Sequence, residues 1–296
     1  MNKLLVATDL TSGSSLAFAR AIELAAEAGA AIRIVHATSP ATPPEEAFEI
    51  RKRIATEARS MAEEAKGGEL DLSIAISYSD PGDAVMRKAA EHGADLILLG
   101  RHGDPGLGSP IFGTTASHVM HHGDWPVLIA QAAGNRPYAK VMVALDDAPS
   151  ARRVLARVLA IVPAAEVLAV HAFDQPPWSW LEVGETWRHH ELDKQNGFEA
   201  RIQKEIGARA GKTSATKHAI VELGDASTIL MMEYFLMEPD LLVIGVHRRS
   251  MFLGRHAIDA LSWCQSDILF IPQPAPMSGR LAEPRPSLDR GAEDGR

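Results

Sequence analysis

The sequence predicts an α/β fold: two tandem copies of a five-stranded parallel-sheet α/β/α sandwich. Three observations predict it. Short apolar runs alternate with amphipathic stretches, polar or glycine residues bound those runs, and the same blocks recur in the same order in both halves of the 296-residue chain. Strands alternating with helices imply parallel βαβ units whose strands are covered on both faces.

The recurrence is specific. KLLVATD (Lys3–Asp9) returns as KVMVALD (Lys140–Asp146), and IRIVHA (Ile32–Ala37) as EVLAVHA (Glu166–Ala172). PGDAVM around Gly82 returns as LGDAST around Gly224, DLILLG (Asp95–Gly100) as DLLVIG (Asp240–Gly245), and WPVLIA (Trp125–Ala130) as SDILFIP near Ile268. Chance similarity between short apolar runs explains one such block, but not an ordered series, so the chain reads as a tandem duplication.

In the first copy LLVAT, IRIVHA, LSIAISY, LILLG and VLIA read as strands, being short, β-branched or Leu-rich and bounded by turn residues. The first helix, SSLAFARAIELAAEAG, places Phe18, Ile22 and Ala25 on one face, with Ser12 or Ser14 as its cap and Gly29 as its end. The second, EEAFEIRKRIATEARSMAEEAKGG, stops at Gly67 and Gly68, and the third, PGDAVMRKAAEHG, runs from Pro81 to Gly93. The domains predicted are residues 1–135 and 136–273, joined through Gln131–Lys140. Residues 274–296 are rich in Pro, Gly, Arg and acid and are expected to form a disordered tail.

Composition narrows the function. At 46% hydrophobic residues each half can bury a core, and a net charge of −8 argues against a nucleic-acid binder. The single cysteine, Cys264, permits no intrachain disulfide and reads as a small apolar residue. The opening MNKLLVATDLTSG lacks the apolar core of a signal peptide, and no run reaches the ~18 apolar residues of a membrane span. A cytoplasmic location is the expectation.

In open parallel sheets ligands sit at the carboxyl ends of strands. Asp9, His36 and the loop GRHGDPGLGSPIFGTTASH (Gly100–His118) all lie at such ends. The loop spaces Gly100-x2-Gly103-x9-Gly113 and then places Thr114 and Thr115 at the start of a helix. Free backbone N–H groups and the helix dipole there suit an anion such as phosphate, with the hydroxyls as further donors. The same residues also describe a mobile loop ending in a helix cap.

On these motifs the chain resembles the universal stress protein family, as two family domains in tandem, and with it the adenine nucleotide alpha hydrolase-like fold. ATP-binding members carry Gly-x2-Gly-x9-Gly-(Ser/Thr) after the fourth strand, and Gly100, Gly103, Gly113 and Thr114 meet it at every specified position. The resemblance implies that Asp9 lies near the adenosine and its metal, Mg, and that Val35, beside His36 and Ala37, lines the adenine pocket. It implies an ATP-binding, nucleotide-responsive stress-response regulator or protector that acts through a protein partner. It also implies that PVLIA and DILFIP pair the copies edge to edge as an intramolecular pseudo-dimer, since unpaired strand edges must be covered. A homodimer of whole chains stays open.

The second copy departs from the motif. Its loop, Gly245–Leu261, is four residues shorter, puts Arg248 where Gly103 stands, and follows Gly254 with Arg255. Asp146 is retained, but Arg248, Arg249 and Arg255 replace the small residues a phosphate loop needs, so ATP is expected in the first copy alone. Arg255 can instead pair with Asp146 or Asp259 and close the crevice.

Other motifs are weaker. GARAGKT (Gly207–Thr213) has three residues between its glycines and lies between a helix and a strand, the reverse of a Walker A context. His118, His121 and His122 read as a solvated helix face rather than a metal site, and His189 and His190 carry still less. Trp178, Trp180 and Trp187 form either a cap over the second copy's core or an exposed patch for a partner. With no Gly-x-Ser-x-Gly elbow and no suitably spaced carboxylate pair, no catalytic residue is predicted. Two rival readings remain: a nucleotide-free structural adaptor, and a slow ATPase or autophosphorylating protein with Thr114, Thr115 or Ser109 as acceptor.

Overall fold

The structure, a computed structural model, describes residues 1–64, 70–101, 113–132, 137–145, 151–173, 193, 196–202, 204, 217–247, 259–260 and 262–273. In chain order the first half contains β1 (Lys3–Ala7), α1 (Ser12–Ala28), β2 (Ala31–Thr38), α2 (Pro44–Glu64), β3 (Leu72–Tyr78), α3 (Pro81–His92), β4 (Leu96–Gly100), α4 (Thr114–His122) and β5 (Val127–Ala130). The second contains β6 (Lys140–Ala144), α5 (Ala151–Ile161), β7 (Glu166–Phe173), a helical stretch α6 (residues 196–202), β8 (Lys217–Leu223), α7 (Ala226–Met237), β9 (Leu241–His247) and β10 (Asp267–Gln273). Among the described residues no helix is long and apolar enough to cross a membrane.

The last strands of the two copies pair edge to edge as expected and join their sheets into one. Strand order is β3-β2-β1-β4-β5-β10-β9-β6-β7-β8, parallel within each half. The halves meet where β5 and β10 pair antiparallel, Leu128 opposite Leu269. Because that pairing reverses direction, the carboxyl ends of the two sets of strands face opposite edges of the sheet. Alternation along each strand builds two cores. Leu4, Val6, Ile32, Ile34, Leu96 and Leu98 face α1 and α2, whereas Leu5, Val35, Ile97 and Leu99 face α3 and α4.

Local signals explain most boundaries. Gly29 and Gly93 end α1 and α3 in the left-handed conformation (φ 63° and 67°), which glycine adopts without strain. The start of α1 differs from expectation. Thr11, not Ser12 or Ser14, is the N-cap residue, and it makes no side-chain capping bond. Ser14 is engaged otherwise, its hydroxyl donating back to the Thr11 carbonyl (2.9 Å) and meeting Thr8 Oγ1 (3.0 Å). The PGDAVM/LGDAST correspondence also shifts. Asp80 caps α3 and Asp225 caps α7, so Asp225 answers to Asp80 rather than to Asp83.

A buried polar cluster ties the halves. Asp267, fully buried, accepts from Arg20 Nε (2.9 Å), the Tyr138 hydroxyl (2.6 Å) and the backbone N–H groups of Gln131 (2.8 Å) and Ala132 (3.1 Å). The Arg20 guanidinium lies 4.3 Å from the Tyr138 ring centroid and also donates to Glu23 (2.7 Å). Burial outweighs the attraction of Arg20 and pushes the Glu23 carboxyl up to about 7, with Asp267 and Glu27 adding repulsion.

The folded state therefore holds a proton on Glu23 that the unfolded chain has released, at pH values between the ordinary carboxylate range and about 7. Stability falls as pH rises through that window, and the penalty is full above it. Glu23→Gln, which mimics the protonated acid, should melt higher than the parent at pH 8, with the difference closing as pH falls to 5. Parallel melting curves at both pH values would contradict this origin.

Candidate functional site

The carboxyl edge of the first half carries a cavity of about 240 Å³. Its floor is apolar: Ala7 at the end of β1, Val35 and Ala37 on β2, and Leu99 on β4, with Pro81 and Val85 of α3 alongside. Its rim is rich in hydroxyls, with Thr8, Thr11 and Ser14 from the β1–α1 turn facing Thr114 and Thr115 at the start of α4. Among the described residues, Asp9 and Arg101 are the charged ones on the wall.

Side-chain hydrogen bonds shape the β1–α1 turn. Asp9 Oδ1 accepts from the Thr11 backbone N–H (3.0 Å) and hydroxyl (2.6 Å), and Thr8 Oγ1 accepts from the Leu10 N–H (3.0 Å). Between them Leu10 is held in the left-handed region (φ 64°), a conformation costly for a branched residue. The Thr8 backbone bonds to β2 at Val35 O (2.9 Å), and His36 Nδ1 donates to Thr8 O (2.8 Å). His36 is thus a brace behind the turn. Strand alternation puts Val35 and Ala37, not His36, on the cavity.

Gly100 lines the cavity and has a further reason to be glycine. A Cβ there would overlap the Gly13 carbonyl and stand 2.6 Å from the Ser14 nitrogen, and a Cβ on Gly13 would stand 2.5 Å from Arg101 O. The two glycines let the first turn of α1 press against the end of β4, backbone to backbone. Gly113 differs. It is the N-cap of α4 with φ −54°, which any residue adopts, and α4 has neither a side-chain cap nor an acid in its first turn.

Helix charge sorts around this edge. The first turns of α1 and α4, which border the cavity, carry no acid and no side-chain cap. By contrast α2 begins with Glu45 and Glu46, and α3, whose Pro81 and Val85 also line the cavity, is capped by Asp80 with Asp83 following. The first N–H groups of a helix lack intrahelical partners. At α1 the Asp9 carboxylate takes the N–H of the N-cap residue Thr11 (3.0 Å), while the first turns of α1 and α4 themselves supply no acid.

Of the residues singled out in sequence, Asp9, Val35, Gly100, Gly113, Thr114 and Thr115 come together on this cavity. Thr8, Thr11, Ser14 and Arg101 were missed. The strand-end rule pointed to their turn, but not to which side chains it would present. His118 bridges α4 to α3, donating from Nε2 to Asp83 Oδ1 (3.1 Å), with its ring seated over Gly82 and 4.7 Å from that of His122. Among the described residues no group of three or more His, Cys, Asp or Glu side chains is placed to hold a metal. Cys264 is buried, with its thiol pushed up by burial. Gly103, Ser109, Asp146, Arg248, Arg249, Arg255, Trp178, Trp180, Trp187, the GARAGKT segment, His189, His190 and the tail lie outside the described residues.

The equivalent place in the second half is built differently. Leu145 and Ala151 stand where Thr8 and Ser14 stand, and the Gln273 side chain packs directly against Gly245. His171 Nδ1 donates to Leu145 O (2.8 Å), repeating the brace of His36.

The fold is that of a duplicated parallel α/β protein with a cavity at the strand ends of its first half. The universal stress protein family model matches twice, over residues 1–131 and 137–271, and the chain belongs to that family. A universal stress protein of Mycolicibacterium smegmatis is 23% identical over 183 residues, 56% of each chain, so the match spans little more than half of that relative. Universal stress protein YxiE of Bacillus subtilis is 30% identical over 146 residues, 44% of this chain and 99% of that one. The crystal structure of a universal stress protein from Archaeoglobus fulgidus superposes with a TM-score of 0.67 at 15% identity, over 92% of this chain and 98% of that one, and so shares the fold.

The packing of Gly13 on Gly100 predicts a stability effect independent of any ligand. Gly100→Ala should lower the unfolding free energy by about 1–3 kcal/mol in denaturant titration without nucleotide. Gly113→Ala should change it by less than about 1 kcal/mol. Equal effects at both positions would contradict the assignment.

Proposed function

We propose that the first half binds ATP, with a divalent ion such as Mg, and that the protein is a nucleotide-responsive stress-response regulator acting through a protein partner. The observation that carries this reading is the pair of uncapped, acid-free helix N-termini facing one cavity with an apolar floor. An anion is favoured where unpartnered N–H groups and two helix dipoles converge. A base prefers the apolar floor of Val35, Ala37 and Leu99, while the hydroxyls of Thr8, Thr11, Ser14, Thr114 and Thr115 suit a ribose and phosphates. Arg101 supplies a cation at the mouth. The cavity, about 240 Å³, is just under the ~300–1,000 Å³ usual for small-molecule sites and fits a nucleoside whose phosphates extend toward α4.

Asp9 has the hard oxygen donor a magnesium ion prefers, and Mg is commonly held by one or two carboxylates together with nucleotide phosphates. The second half offers apolar groups at the positions of Thr8 and Ser14, and its Gly245 is covered by Gln273. A single nucleotide per chain follows.

Titration calorimetry with ATP and Mg should therefore show one nucleotide per chain, and Gly113→Val should weaken binding at least roughly tenfold, about 1.4 kcal/mol, while melting stays close to the parent's. Undiminished affinity in that variant would sink the loop assignment. A stoichiometry of two would place a second site in the other half.

A further inference from the structure

We propose that the outer face of α7 docks a cationic amphipathic helix of a partner protein. The face carries Met231, Met232, Phe235 and Leu236, exposed by 36%, 55%, 54% and 75%. The duplication supplies an internal control. α3 and α7 are both twelve residues long, both start after a capping aspartate, and both pack on the same side of the sheet. Their inner faces correspond, Ala84, Val85 and Ala89 in one and Ile229, Leu230 and Tyr234 in the other, all buried. Their outer faces do not. Where α7 has Met232, Phe235 and Leu236, α3 has Arg87, Ala90 and Glu91, all exposed. The same frame stands with a polar outer face, so the fold does not require the apolar one.

The strip has the form of a helix-binding surface. Residues spaced i, i+1, i+4 and i+5 make one continuous band along the helix, and contiguous exposed apolar area of this kind marks an interaction site. Methionine side chains adapt to a partner's shape. The half-buried ring of Trp263, 5.2 Å from that of Tyr234, extends the apolar surface at the side.

Charge selects the occupant. Glu233 and Glu238 flank the strip along α7, and the charge of Glu222 on β8 reaches Glu233. Burial and the charge of Glu222 hold the Glu233 carboxyl above its ordinary range, so these acids crowd one another. Lys140 is turned to the Met237 carbonyl (3.1 Å) at the helix end. A partner helix with an apolar stripe and flanking Lys or Arg both covers the strip and relieves the acid repulsion, the helix-in-groove mode of recognition.

The test uses the full chain and three fluorescent peptides: a Leu/Lys amphipathic helix, its Leu/Glu counterpart and a scrambled Leu/Lys sequence. The Leu/Lys helix should bind, measured by anisotropy, and the other two should not. The double variant Phe235→Gln, Leu236→Gln should lower its affinity at least roughly tenfold. Glu233→Gln should reduce the salt dependence of binding, whereas Arg87→Gln with Glu91→Gln on α3 should change nothing. Melting curves confirm that each variant folds. The proposal is overturned by an absence of binding, by equal binding of the acidic or scrambled peptide, or by affinity indifferent to the α7 changes. It is equally overturned if sedimentation shows a dimer that Leu236→Gln dissociates, since the face would then belong to a second copy of the chain.

Discussion

One fully buried carboxylate organises the molecule. Asp267 opens β10 and accepts from Arg20, Tyr138 and two backbone N–H groups just beyond β5, so it joins α1, the inter-copy connection and both final strands at one point. A buried charge is tolerated only where such partners exist, and removing one strands the others. The cluster also breaks the symmetry of the duplication. By strand register Pro126 answers to Asp267 and Pro272 to Gln131, so the opposite end of the junction has neither the carboxylate nor the matching N–H. Arg157, the counterpart of Arg20, is exposed. The ionic clasp therefore sits at one end of the seam, the end shared with the first half's crevice.

That position links architecture to the site. α1 carries Ser14 on the cavity wall and Arg20, less than two turns on, in the clasp. Its first turn is seated by the contact of Gly13 with Gly100, and its body by Asp267. The helix N-terminus that faces the cavity is thus fixed from two sides before any ligand arrives, and such preorganisation lowers the ordering cost of binding.

Much of this was legible in the sequence, and the divide follows the range of the interactions. Strands, Gly29, Gly93 and Pro81 were readable because apolar periodicity and cap chemistry are local. The pairing of the final strands was readable because an uncovered edge beside a sister copy has an obvious solution. The cap at Thr11 was not, since Ser14 turns back to the Thr11 carbonyl, a choice set by the folded turn. Gly100 was noticed for its freedom toward a ligand, but its neighbour is Gly13, 87 positions away in sequence. Arg20 and Asp267, 247 positions apart, left no local trace at all.

The antiparallel seam also accounts for how the two halves diverge. Had the halves joined in parallel, the carboxyl ends of both sets of strands would share one edge of the sheet, and a change at one would be felt at the other. Reversal at β5–β10 puts them on opposite edges, separated by the full length of the strands. The second half can then exchange Thr8 and Ser14 for Leu145 and Ala151 and fill the space beside Gly245 with Gln273, while keeping the His171 brace and the strands that complete the sheet. The lining of the first cavity is untouched by these changes, because every described residue that lines it comes from the first half. The second half also varies where the fold is indifferent, on the outer face of α7. The direction in which the last strands meet thus lets the two carboxyl edges of the sheet differ independently.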